Sequence, residues 1–125
     1  MDIRPLVPEG RQVIEGYGAG RFRVSGALYE GSVLVTPATT LGWAVRSWEQ
    51  VDLASLEPLF ALDDIPEILI LGCGPAMAQV PRSLREAVRA RGPVLEPMDS
   101  GAACRTYNVL LSEERSVAAA LIAVE

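Results

Sequence analysis

Between Pro66 and Gly72 the chain reads EILIL, four apolar side chains in succession with turn signals on either side. A strand that alternates apolar and polar residues covers one face of a sheet; an unbroken apolar strand is covered on both. This run therefore predicts a buried strand in an open α/β sheet. The residues that follow fit that frame. Pro81–Arg91 (PRSLREAVRAR) predicts a helix, with proline in its first turn, Leu84, Ala87 and Val88 on one face, and Gly92-Pro93 as its stop. Pro93–Pro97 reads as a short strand. Asp99 or Ser100 then caps a second helix running to about Leu111, with Ala103, Tyr107, Leu110 and Leu111 on its buried face. The tail Arg115–Val124 (RSVAAALIAV) suits a helix by its alanines and a buried strand by its Val and Ile positions. A final strand beside Glu67–Leu71 would complete a β-α-β-α-β run.

The first half of the chain is β-rich. Residues 1–11 (MDIRPLVPEGR) predict a flexible lead-in, and a single domain is expected over 12–125. Val13, Glu15 and Tyr17 alternate with polar or glycine positions. Phe22-Arg23-Val24 is a short strand, Ser25-Gly26 a turn, and Ala27–Val35 a longer strand with Gly31 as a candidate bulge. Leu41–Val45 is another strand, with Trp43 pointing inward. Over Asp52–Leu62 the period changes: Leu53, Leu56, Leu59 and Phe60 predict a short amphipathic helix.

Composition excludes whole classes of chemistry. All eleven basic residues are Arg, and the chain has no Lys and no His. No imidazole base, Schiff-base lysine, P-loop lysine or His-ligated zinc is available. Sixteen acidic residues leave a net charge of −5, and the arginines are scattered, which argues against nucleic acid as a partner. The densest group, Arg82, Arg85, Arg89 and Arg91, alternates with Glu86 and reads as a solvated helix face. Two cysteines, Cys73 and Cys104, make no C-x-x-C and no zinc site. No secretory leader, membrane span or lipidation motif is read in the chain. The expectation is a cytoplasmic protein without cofactor or metal and without direct membrane insertion.

Two segments carry possible chemistry. Gly72-Cys73-Gly74-Pro75 follows the buried strand at its carboxyl end, where open α/β sheets place ligands. It reads as a small-molecule or anion pocket with Cys73 on the wall, or as a tight turn with Cys73 as a small buried hydrophobe. Asp99–Asn108 (DSGAACRTYN) begins a helix with small residues, whose free N–H groups face whatever lies in front. It reads as the opposite wall of that pocket, or as a capped and packed helix with Asn108 holding a loop. The candidate ligand-binding residues are Gly72, Cys73, Gly74, Ser100, Arg105, Thr106 and Asn108. No catalytic residue is assigned, because Ser100, Cys73 and Cys104 lack an imidazole or amine base. Trp43, Trp48, Tyr17 and Phe22 read as core, or as an aromatic patch that receives a protein.

Several blocks together resemble the Mth-type domain family: IEGYG at 14–18, FRVSG at 22–26, GSVLV at 31–35, LGCG at 71–74, and above all MDSGAACRTYNVL at 98–110. The resemblance covers about residues 12–124. It implies a three-layer α/β domain, with a mixed central sheet, helices and an added β-hairpin layer, and it makes the tail a strand. It implies no established enzymatic activity. Mitochondrial members of the family include a respiratory complex I assembly factor. Cys73 and Ser100 stand where many members are expected to carry threonine.

Two functional expectations follow. The first is a non-catalytic protein-interaction or assembly-factor-like domain with a protein partner, which can include itself. The second is a small-molecule or anion site between residues 72–75 and 99–108.

Overall fold

The EILIL run becomes the inner strand around which everything else is laid. The computed structural model describes residues 10–125; the lead-in expected at 1–11 lies, but for its last two residues, outside the described residues. In chain order the strands are β1 (Ile14–Gly18), β2 (Arg21–Val24), β3 (Ala27–Glu30), β4 (Ser32–Val35), β5 (Thr40–Trp43), β6 (Ile68–Gly72), β7 (Val94–Met98) and β8 (Val117–Leu121). The helices are α1 (Glu57–Phe60), α2 (Arg82–Ala90) and α3 (Ser100–Ser112).

β6, β7 and β8 run parallel, joined by α2 and α3 as crossovers, and β8 lies beside β6. β4 joins β8 antiparallel, and β5 joins β4, so the five-stranded sheet has the order β5-β4-β8-β6-β7. The alanine-rich tail is thus a strand. Sandwiched between two neighbours and covered on both faces, it is buried throughout, and tertiary packing overrides its helix propensity.

The two faces of this sheet carry two cores. Leu34, Leu69, Leu71, Ala118 and Ala120 pack with Trp43, Leu56, Leu59, Phe60 and Val88 of the strands, turns and helices on one side. Val33, Val35, Ile70, Ala119 and Leu121 pack on the other side with Ala103, Cys104, Tyr107 and Leu111 of α3 and with Ile14, Phe22 and Val24. The last three come from a separate three-stranded antiparallel sheet, β1-β2-β3. The molecule is a single α/β domain with a mixed central sheet, and its added β layer is a meander rather than one hairpin.

Two local expectations change. Ala27–Val35 is not one strand. Gly31 takes φ +81, a left-handed conformation open to glycine, and there the chain leaves the meander as β3 and enters the central sheet as β4. The helix expected over Asp52–Leu62 is a 3-10 turn at Ala54–Leu56 followed by the single turn of α1, with Pro58 in its first turn. Three core contacts, Leu56, Leu59 and Phe60, are met within that short path. Trp43 points inward as expected, and its Nε1 donates to the Ser55 carbonyl at 2.9 Å.

Candidate functional site

The two small-residue bends do meet. β7 ends in Met98, whose carbonyl accepts from the Cys73 amide at 2.8 Å, which draws the 72–75 bend against the start of α3. Asp99 caps that helix by accepting from the Ala102 amide at 2.9 Å through Oδ2. Ser100, wholly buried, then sits in the junction. Its Oγ accepts from the Gly74 amide at 2.9 Å and donates to the Ile122 carbonyl at 2.6 Å. Its own amide donates to the Gly74 carbonyl at 2.8 Å, and the Ile122 amide donates to Gly72 at 3.0 Å.

This junction lies at the carboxyl ends of β6 and β8, beside the point where α2 leaves β6 toward one face of the sheet and α3 leaves β7 toward the other. Sheets of this winding bind ligands there. Here Ser100 fills the crevice and ties the ends of both strands together. A Cβ at Gly72 would meet Ser100 Oγ at 2.9 Å and Leu121 Cδ2 at 3.0 Å, so glycine is what admits the helix. The amides of Cys73, Gly74, Ser100 and Ala102 are engaged within the chain. They are not free donors.

The thiols are buried on opposite faces of the central sheet. Burial pushes the Cys73 thiol up, partly opposed by backbone hydrogen bonding at Ala78 and Met98. Desolvation pushes Cys104 up to about 12, with Arg105 opposing. Both favour the protonated, unreactive form.

Farther along α3, Asn108 grips β1. Its Oδ1 accepts from the Ile14 amide at 3.0 Å and its Nδ2 donates to the Ile14 carbonyl at 2.7 Å. The side-chain amide thus takes the place of a neighbouring strand. Beside it, Tyr107 Oη donates to the Gln12 carbonyl at 2.9 Å, and burial pushes the pKa of that phenol well above its ordinary range. Thr106 is half-buried on the same helix and Arg105 is exposed.

The expected site residues therefore divide. Gly72, Cys73, Gly74 and Ser100 form the junction. Arg105 and Asn108 instead line a shallow hollow of about 250 Å³ between β1 and α3, with Ile14, Glu15, Gly16, Tyr17 and Cys104. Tyr17 reaches back over the helix start, where a Cβ on Gly101 would overlap its hydroxyl. In the sequence Tyr17 reads as core or as part of an aromatic patch, and nothing local connects it to Gly101. Only the large-against-small complementarity of the two could have linked them. Phe22 and Trp43 are core and Trp48 packs against it, whereas Tyr17 is 47% exposed.

A second cleft, of about 740 Å³, opens at the opposite ends of the parallel strands, among Arg11, Asp63, Asp64, Ile65, Glu114 and Arg115. Among the described residues no group of three or more His, Cys, Asp or Glu is placed to hold a metal ion. Among the same residues no helix is long and apolar enough to cross a membrane.

With that geometry in view, residues 14–122 match a family described as "Protein of unknown function (DUF498/DUF598)". An uncharacterized protein of Rhodobacter capsulatus is 39% identical over 113 residues, covering 90% of this chain and 86% of its own length. NADH dehydrogenase (ubiquinone) 1 alpha subcomplex assembly factor 3 of Xenopus tropicalis is 35% identical over 109 residues, which is 87% of this chain and 60% of that protein. The solution structure of a Bordetella pertussis protein described as a Mth938-like domain superposes with a TM-score of 0.79 at 24% identity, over 98% of this chain and 92% of that one. That likeness is one of fold.

Proposed function

The chain belongs to the DUF498/DUF598 family, and from that premise we propose that it works as a non-catalytic, assembly-factor-like domain, acting through contact with a protein partner. The working unit is residues 12–125, and its setting is the cytoplasm. The observation that carries this reading is the Ser100 junction. The place where an α/β sheet of this winding offers donors to a ligand is occupied by hydrogen bonds within the chain. The similarity to an assembly factor points the same way, although this chain spans only 60% of that relative.

The test is affinity capture of the full chain at native expression level with chemical cross-linking, followed by rebinding of any recovered protein to purified chain. A stoichiometric protein that rebinds supports the reading. Recovery of the chain alone counts against it.

A second reading keeps the small-molecule or anion site only over its 99–108 half, apart from the filled junction at residues 72–75. The hollow beside Arg105 and Asn108 favours it, since Arg105 brings an exposed charge to a concave surface. Thermal melting with a panel of small anions, on the wild type and on Arg105→Ala, tests it. An anion that raises the melting temperature of the wild type and not of the variant supports this site. No shift with any anion removes it.

A further inference from the structure

Among the described residues the two sheets present four strand edges, and three of them are guarded. β1 is gripped by the Asn108 amide. β3 carries Glu30, paired with Arg21 at 3.3 Å on the solvent side. β7 is blunted by proline. The Val94 amide donates to Glu67, so alternate residues from 94 face β6 while positions 93, 95 and 97 face outward. Pro93 and Pro97 remove two of the three outward donors.

Among the described residues β5 has no such guard; its nearest side-chain tie is Thr40 Oγ1 donating to Gln12 Oε1 at 2.8 Å, which leaves the strand's backbone groups untouched. From Thr40 to Val45 the chain reads TLGWAV, without charge or proline. The Thr36 amide donates to the Thr39 carbonyl at 2.8 Å, and the register pairs Val35 with Thr40 and Leu34 with Leu41. Alternation along an antiparallel ladder then turns Leu41 and Trp43 toward β4, and turns the backbone groups of Thr40 and Gly42 outward. Leu41 is 43% exposed, and nothing lies within 4 Å of where a Gly42 Cβ would stand. An uncharged, unblunted edge of this kind is a template for another strand.

We infer that β5 pairs antiparallel with β5 of a second copy of this chain, making one continuous sheet across a twofold axis at Leu41. The edge is self-complementary. With Leu41 opposite its symmetry mate, Thr40 falls opposite Gly42 of the other copy and Gly42 opposite Thr40. These are the residues whose amides and carbonyls face outward, so both pairs close in the narrow hydrogen-bonded arrangement. Leu41 falls in the intervening wide-ring position, where side chains approach most closely, and its exposed surface is covered. No like charges meet on the axis, which a C2 interface would otherwise have to bring together. Contact with a different protein, as proposed above, is a separate matter and does not depend on this pairing.

The test is the molar mass of the full chain by light scattering and sedimentation from low micromolar to millimolar concentration. The wild type is expected to approach twice the chain mass as concentration rises. Leu41→Glu sets two carboxylates against each other on the axis and is expected to stay at the chain mass. Under mild oxidation Leu41→Cys is expected to give a disulfide-linked dimer, because an opposed wide-ring pair lies within disulfide reach, while Leu28→Cys on β3 is the control. A wild type that stays monomeric throughout overturns the inference. So does a dimer that persists in a folded Leu41→Glu, or cross-linking no faster at position 41 than at 28.

Discussion

Gly72 and Ser100 approach so closely that a Cβ on the glycine would stand 3.0 Å from the serine Cα and 2.9 Å from its Oγ. Neither atom belongs to a mobile side-chain end. Gly72→Ala forces helix and strand apart, and overpacking of this kind costs roughly 1–3 kcal/mol. Ser100→Ala leaves the Gly74 amide and the Ile122 carbonyl without their buried partner, a loss of about 1–3 kcal/mol. Urea denaturation measures both. Wild-type midpoints in either variant would mean the junction contributes nothing to stability.

Asn108→Ala removes the two hydrogen bonds that hold Ile14. The expected cost is about 1–3 kcal/mol. Amide exchange at Ile14 should accelerate more than exchange in β6, because the meander loses its grip on α3 while the central sheet keeps its ladder. Equal protection in wild type and variant would place the anchor of β1 elsewhere.

Gly101→Ala brings a methyl group into the Tyr17 hydroxyl. Tyr17 is 47% exposed and can swing aside, so the cost is modest, about 1 kcal/mol. Combined with Tyr17→Ala, the methyl group has room, and the second substitution should cost less than it does alone. A double-mutant cycle that comes out additive would show that the two side chains do not meet in solution.

The thiols predict an alkaline effect. Cys104 stays protonated in the folded chain up to about 12, whereas an unfolded thiol ionises near 8.5. Between those values the folded state holds more protons than the unfolded one, so stability falls as pH rises and is fully present below the window. The raised Cys73 thiol acts in the same direction. Melting temperatures from pH 7 to 11 should decline above the lower value, and less steeply in Cys104→Ala. A thiol-reactive dye at pH 8 should label neither cysteine until the chain is unfolded.

Much of the architecture was legible because its signals are local. The EILIL run, the Pro81 helix start, the Asp99 cap and the Ser25-Gly26 turn each announce themselves within a few residues. The tail was ambiguous because alanine's helix preference and its burial between β4 and β6 point in opposite directions, and the second is a property of the whole sheet. The 52–62 stretch has a helical apolar spacing but is met as short turns, since the spacing records which residues are buried and not how the backbone carries them. At the candidate site, small residues correctly marked where backbones approach closely. They could not reveal that Ser100 uses the donors itself, or that Asn108 reaches a strand from the other end of the chain, because those partners are distant in sequence.

Gly31 has a mechanical consequence. The polypeptide passes from meander to central sheet through one residue, with no slack between the two. A load applied to the β2–β3 hairpin is delivered directly to β4 and, through its ladder, to β8. Inserting flexible residues at that single point should uncouple the layers, so that the outer one opens at lower denaturant than the sheet it covers.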